Sequence, residues 1–278
     1  MSILQQVSNA PSRQGVRMVV AGVEKVGKTT FAASAPRPIL VPLEVGAVGI
    51  TVNKTPMLQK LQDTEQFIAE VLAACQAGQF PYQSIIFDSC TAFERQIHDS
   101  IIEADPSWAK GNKRSVTMES ALGGYGRAYT YANERFDSFL KQCDVLAVLC
   151  GINIIFTAHV FAAKMMDPTQ GEYDSWDLLL HSPKNQKTYG KREIITQWAD
   201  VVGFMYEPMY ITKSDNMSKG VSANKGRVMG LSRTPSYVAG NRYGVEGEVS
   251  IPRQGGWNQL AHAIYNASGI DLFNRDVN

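Results

Sequence analysis

The sequence predicts an α/β fold built on a mostly parallel central sheet. Three observations carry this. Short apolar runs alternate with stretches of helical spacing as far as His159. The runs are too uniformly apolar to have a solvent face, as expected of strands covered by helices on both sides. A glycine-rich turn joins the first run to the first helical stretch.

Residues 1–14 are polar and aperiodic and read as an N-terminal arm, leaving 15–278 as one domain. VRMVVAG (16–22) is a buried strand by its length and valine content. TTFAASA is a short helix ended by Pro36 and Pro38. PILVPLE (38–44) is a second strand that ends in Glu44. DTEQFIAEVLAACQAG (63–78) places Phe67, Ile68, Val71, Leu72 and Cys75 at helical spacing, with Asp63 or Thr64 as its cap and Gly78 at its end. YQSIIFDS (82–89) is a third strand with Asp88 near its end, and TAFERQIHDSIIEA (91–104) a helix. A loop over 105–123 carries the basic patch KGNKR. A helical stretch with a break follows from about Tyr125 to Leu149, then the strand INIIFTAH (152–159), which ends in His159.

The character changes after His159. Residues 163–191 read as a long aperiodic loop, and such loops in compact domains are usually functional or mobile. ITQWADVVGFMYEP, KGRVMGLSR and SYVAGNRYGVEG suggest short strands and turns, as antiparallel additions to the sheet. GWNQLAHAIYNASG (256–269) is a closing helix. Residues from about 200 to 278 thus form a small β-rich C-terminal extension.

With 278 residues, 44% of them hydrophobic, the chain can bury a sizeable core. No run reaches the roughly 18 to 20 apolar residues of a membrane span, so no membrane partner is expected. The polar start lacks a signal core, and a cytoplasmic protein is expected. Cys75, Cys90, Cys143 and Cys150 form no CxxC and show no zinc-ligand spacing, so they read as reduced core residues. The net charge of +1 does not announce a nucleic-acid surface, although a local basic loop is compatible with it.

Gly22-Val23-Glu24-Lys25-Val26-Gly27-Lys28-Thr29 fits GxxxxGK[ST], with Thr30 following. A strand stands before the motif and a helix after it, the context that a phosphate-binding loop requires. Its glycines let backbone N–H groups converge on an anion, and the helix start adds a positive dipole end. Lys28 supplies charge to the β- and γ-phosphates of ATP, and the Thr29 hydroxyl is a ligand for Mg²⁺. Asp88, at the carboxyl end of a parallel strand, is the second metal-side residue.

Ser89 follows Asp88, where many ATPases of the AAA+ type carry a water-activating glutamate. Glu44 therefore becomes the candidate base. His159 is a candidate contact to the γ-phosphate, or equally a structural histidine. Other nucleotide-driven classes lack parts. DSCT replaces the DxxG of small GTPases, and NKTP and NKGR lack the aspartate of NKxD. ALGGYG is a poor match to an ABC signature, and no arginine-rich kinase lid is evident.

The remaining order is a phosphate loop, a glutamate after the next strand, an aspartate strand and a polar-ended strand with a long loop. It resembles the RecA-like arrangement of P-loop NTPases. GVEKVGKTTFAA, IIFDSCTAFER, GGYGRAYTYANERFDSFL, NIIFTAH and AGNRYG resemble more closely the RecA-core nucleotide-binding proteins of bacteriophages. These are AAA-type ATPases that include Sak-type recombinases and single-strand annealing proteins. The resemblance implies Mg²⁺-dependent ATP hydrolysis, with Lys28, Glu44 and His159 as catalytic residues, and a homo-oligomer. It also implies single-stranded DNA as partner, through the loops 105–123 (Trp108, Lys110, Lys113, Arg114) and 163–191 (Lys164, Tyr173, Trp176, Lys184, Lys187, Tyr189). Lys187, Lys191, Arg192 and Arg242 are candidates for a basic residue donated to a neighbouring subunit's site. A P-loop switch for protein partners and a small-molecule phosphotransferase are the rival readings.

Overall fold

The computed structural model describes residues 14–109, 116–183, 189–214, 217–222 and 226–272. Residues 1–13 of the N-terminal arm lie outside them. The core is laid down by β1 (Arg17–Gly22), α1 (Lys28–Ala32), β2 (Pro38–Pro42), β3 (Asn53–Lys54), α2 (Leu61–Gln76), β4 (Ser84–Asp88), α3 (Cys90–Ala104) and α4 (Pro106–Ala109). It continues with α5 (Arg127–Leu149), β5 (Asn153–Ala158), the hairpin β6 (Val160–Asp167) and β7 (Gly171–Leu178), α6 (Lys191–Trp198) and β8 (Val201–Tyr206). After these come β9 (Met209–Ser214), β10 (Met217–Ser222), β11 (Arg227–Gly230), β12 (Gly240–Asn241), β13 (Glu248–Ile251) and α7 (Trp257–Ser268).

Among the described residues, nine strands form one sheet in the order β13-β11-β8-β1-β5-β4-β2-β3, with β12 also on β8. The six strands from β8 to β3 run parallel. β11, β12 and β13 are antiparallel additions. The fold is therefore α/β with a mostly parallel sheet, consistent with the P-loop NTPase expectation. β8 begins the β-rich C-terminal part, yet it lies inside the sheet beside β1.

Alternation along the central strands builds two cores. Val19 and Ala21 of β1, Ile85 and Phe87 of β4, and Ile154 and Phe156 of β5 face α2, α3, α5 and α6. Met18, Val20, Ile86 and Ile155 face the opposite way, toward α1 and α7. This two-sided burial is why the strands read as continuous apolar runs. No helix among the described residues is long and apolar enough to cross a membrane.

Four local expectations change. ITQW is the end of α6 and not part of a strand. Glu193 accepts the Gly190 N–H at 2.9 Å and starts this helix, burying Ile195. The 163–191 stretch is not one loop but carries the β6–β7 hairpin, whose largely exposed faces leave no apolar alternation to read. α5 runs unbroken for 23 residues, and the irregular backbone lies just before it, around Leu122 and Tyr125. α2 starts after Lys60, with Asp63 accepting the Lys60 N–H from inside the first turn, so neither Asp63 nor Thr64 is its cap residue.

Candidate functional site

β1 delivers the chain into the phosphate loop at the carboxyl edge of the sheet. Gly22 has φ 155°, and a Cβ there would stand 2.4 Å from the Met205 carbonyl oxygen of β8. Gly27 has φ 97° and directly precedes α1. Val23, Glu24 and Lys25 are exposed at the loop tip, whereas the Val26 side chain is buried in the core under α1. The loop is thus anchored through Val26 and offers its backbone to a ligand. α1 has only five residues, so its dipole is small, and an anion bound here would depend on the loop N–H groups and Lys28.

Lys28 is buried, and its Nζ donates to the carbonyl oxygens of Gly22 at 2.8 Å and Val23 at 3.0 Å. Two of the three ammonium hydrogens are held in this way, and the third remains for a phosphate oxygen. Burial lowers the Lys28 pKa, and Asp88, Glu24 and Glu44 oppose that shift.

Asp88 ends β4, two strands from β1, with β5 between them. The Thr29 hydroxyl donates to its Oδ2 at 3.1 Å. On the other side, the hydroxyl of Thr157, fully buried in β5, donates to Oδ1 and holds the carboxylate in place. A hydroxyl and a carboxylate side by side below a phosphate loop are the oxygen donors that Mg²⁺ uses alongside phosphate and water. Thr29 and Asp88 thus fit the metal and would hold it.

Glu44 lies in the turn two residues beyond β2. It and His159, just past β5, meet across the sheet edge, with His159 Nε2–H donating to Glu44 Oε1 at 2.7 Å. Arg95 of α3 donates to Oε2 at 3.4 Å. The hydrogen bond from His159 is the largest influence holding Glu44 below the usual carboxylate range; bonding to Ser89 and the Arg95 charge add to it, against partial burial. Glu44 is therefore an ionised acceptor at neutral pH. The backbone N–H of His159 is held by the Thr91 hydroxyl at 3.3 Å, which fixes β5 to the start of α3.

The remaining sequence candidates are dispersed. Lys191 is wholly buried, with its ammonium 3.4 Å from Glu94, so it cannot reach a neighbouring subunit. Arg192 is paired with Asp177 and Glu193. Arg242 pairs with Asp200 at the amino-terminal edge of the strands, where Asp200 also holds Arg17 of β1. Lys110, Lys113, Arg114, Lys184 and Lys187 lie outside the described residues. Lys164 pairs with Glu172 across the hairpin, Tyr173 and Trp176 lie on β7, and Tyr189 is exposed.

Sequence reasoning missed Thr157, Thr91 and Arg227. The threonines left a faint signal, since Thr157 sits inside the TAH ending and Thr91 follows DSC. Arg227 left none: it opens an ordinary strand, yet its guanidinium lies under the phosphate loop, donating to the Val26 carbonyl oxygen at 2.9 Å.

The family model for an AAA domain matches residues 14–243, which include the phosphate loop, Asp88, Glu44 and His159. No curated protein matches the chain. With most of its length covered, from before β1 to beyond β12, the chain belongs to this AAA domain family, whose general capacity is nucleotide binding and ATPase chemistry.

Proposed function

We propose that the protein is a Mg²⁺-dependent, RecA-like ATPase that acts on single-stranded DNA, in recombination or annealing of the bacteriophage type. The observation that carries the ATPase reading is the convergence of Lys28, Thr29, Asp88, Glu44 and His159 on one edge of the sheet. Mg²⁺, when bound, neutralises phosphate charge and orients the β- and γ-oxygens. Lys28 binds those oxygens while the Gly22 and Val23 carbonyls aim its amine. Thr29 and Asp88 hold the metal side of the site. Glu44 accepts a proton from the attacking water, and His159 keeps its carboxylate oriented. This division has the base follow a different strand from the one that ends in Asp88, in keeping with Ser89 standing where many AAA+ ATPases carry glutamate.

The DNA reading rests on the resemblance noted above and on the composition of two segments that mix aromatic residues with cations, a combination suited to base stacking and phosphate neutralisation. Assembly into a homo-oligomer has the same basis. The test is ATP turnover with and without single-stranded DNA, together with DNA binding at low salt. Stimulation several-fold above the DNA-free rate is the expected result. Turnover indifferent to DNA, with no binding at low salt, would remove the DNA role and favour a switch for protein partners. Phosphate appearing on a small acceptor would identify a phosphotransferase.

A further inference from the structure

Arg227 is the first residue of β11, which runs antiparallel to β8 and so starts at the carboxyl edge of the parallel strands. Its side chain is 6% exposed and reaches past β8 to the phosphate loop. One terminal nitrogen donates to the Val26 carbonyl oxygen at 2.9 Å, and the other donates to the Pro252 carbonyl oxygen beyond β13. The same guanidinium stands where a side chain on Gly27 would go, with Nη1 1.7 Å from the position of a Cβ. The second glycine of the motif is therefore needed twice, for its φ of 97° and for the space taken by Arg227.

The Val26–Gly27 peptide is trans, so its C=O and N–H point in opposite directions. Because Arg227 grips the Val26 oxygen, the Gly27 N–H points away from Arg227 and stays free for a ligand on the other side of the loop. Arg227 also brings a buried positive charge against the loop.

We propose that Arg227 is a positioning residue for the phosphate loop, fixing the Val26–Gly27 peptide so that the Gly27 N–H faces the bound nucleotide's phosphates. It makes the β-rich C-terminal part a component of the nucleotide site. The inference rests on the reading of Gly22–Thr29 as the ATP phosphate loop.

The test measures Mg·ATP affinity by calorimetry on the full chain, beside the melting temperature of the nucleotide-free protein. Arg227→Met removes the donors and keeps most of the buried volume; Arg227→Lys keeps the charge and a donor. Loss of a charge-assisted hydrogen bond predicts about tenfold weaker binding for Arg227→Met, with Arg227→Lys intermediate. A purely structural arginine would lower the melting temperature of both variants and leave the affinity of the folded protein at the wild-type value. That result overturns the proposal. Should Arg227→Met not fold, Arg227→Lys decides alone: weakened binding supports the role, and wild-type affinity overturns it. A wild-type chain that does not bind Mg·ATP would instead sink the reading of the loop itself.

Discussion

At Glu44 opposing influences act on one carboxyl group. Partial burial favours the neutral form, and the His159 hydrogen bond, with Ser89 and Arg95, favours the charged form and wins. The folded pKa is thus below the ordinary 4.5. The stability linked to this group is complete above that value and is lost as pH falls through the lower folded pKa. His159→Ala removes the largest influence, so the Glu44 carboxyl titration followed by NMR should move up toward 4.5 and carry the acid limb of ATP turnover with it. Glu44→Gln should slow turnover about a hundredfold or more, in the range of general-base loss, while ATP still binds. Unchanged turnover would remove Glu44 from the chemistry. Asp88→Asn should leave ATP binding in EDTA near wild type and raise the Mg²⁺ concentration needed for half-maximal turnover. Glu44, Asp88 and His159 were legible in the sequence because each follows an apolar run, where a parallel sheet presents its ligand edge. Thr157 and Arg227 were not, because their roles arise from contacts between distant parts of the chain. Arg227 lies 201 residues from Val26.

Elements are tied together by a second set of buried charges. Glu94 on α3 accepts the His181 N–H at 2.8 Å and faces the ammonium of Lys191, the first residue of α6. Burial raises the Glu94 pKa and lowers that of Lys191, and their mutual attraction opposes both shifts. The pair fixes α6 and the segment after β7 to the helix that follows Asp88. Lys191→Met should leave Glu94 buried without its partner and cost about 3–5 kcal/mol in denaturant unfolding. Adding Glu94→Leu should recover a large share of that loss. A lysine reads from sequence as a surface residue, which is why Lys191 looked available to a neighbouring subunit. The β6–β7 hairpin was illegible for a related reason. Periodicity reports burial, and an exposed ribbon buries too little to leave a pattern. The central strands and α7 were plain because each buries an apolar face.

At the scale of the whole molecule, early and late elements of the described chain meet around the phosphate loop. α7 closes over α1, with the Trp257 ring 6.2 Å from that of Phe31 between centroids and the Trp257 backbone N–H donating to the Ser34 hydroxyl at 3.0 Å. Trp257 is 1% exposed, and Trp257→Ala should destabilise the fold by about 3–5 kcal/mol, read by thermal unfolding. From the sequence the C-terminal part looked like an addition to the sheet. In the fold, β8 lies against β1, Arg227 reaches the loop and α7 covers the helix behind it. One candidate ATPase site therefore draws on residues from Gly22 to Arg227. The most direct measurement is phosphate release from Mg·ATP by the full chain beside Lys28→Ala. An ATPase site at Lys28 should give release that requires Mg²⁺ and falls to background in the variant. Release that is equal in the two proteins, or absent from both, would contradict it.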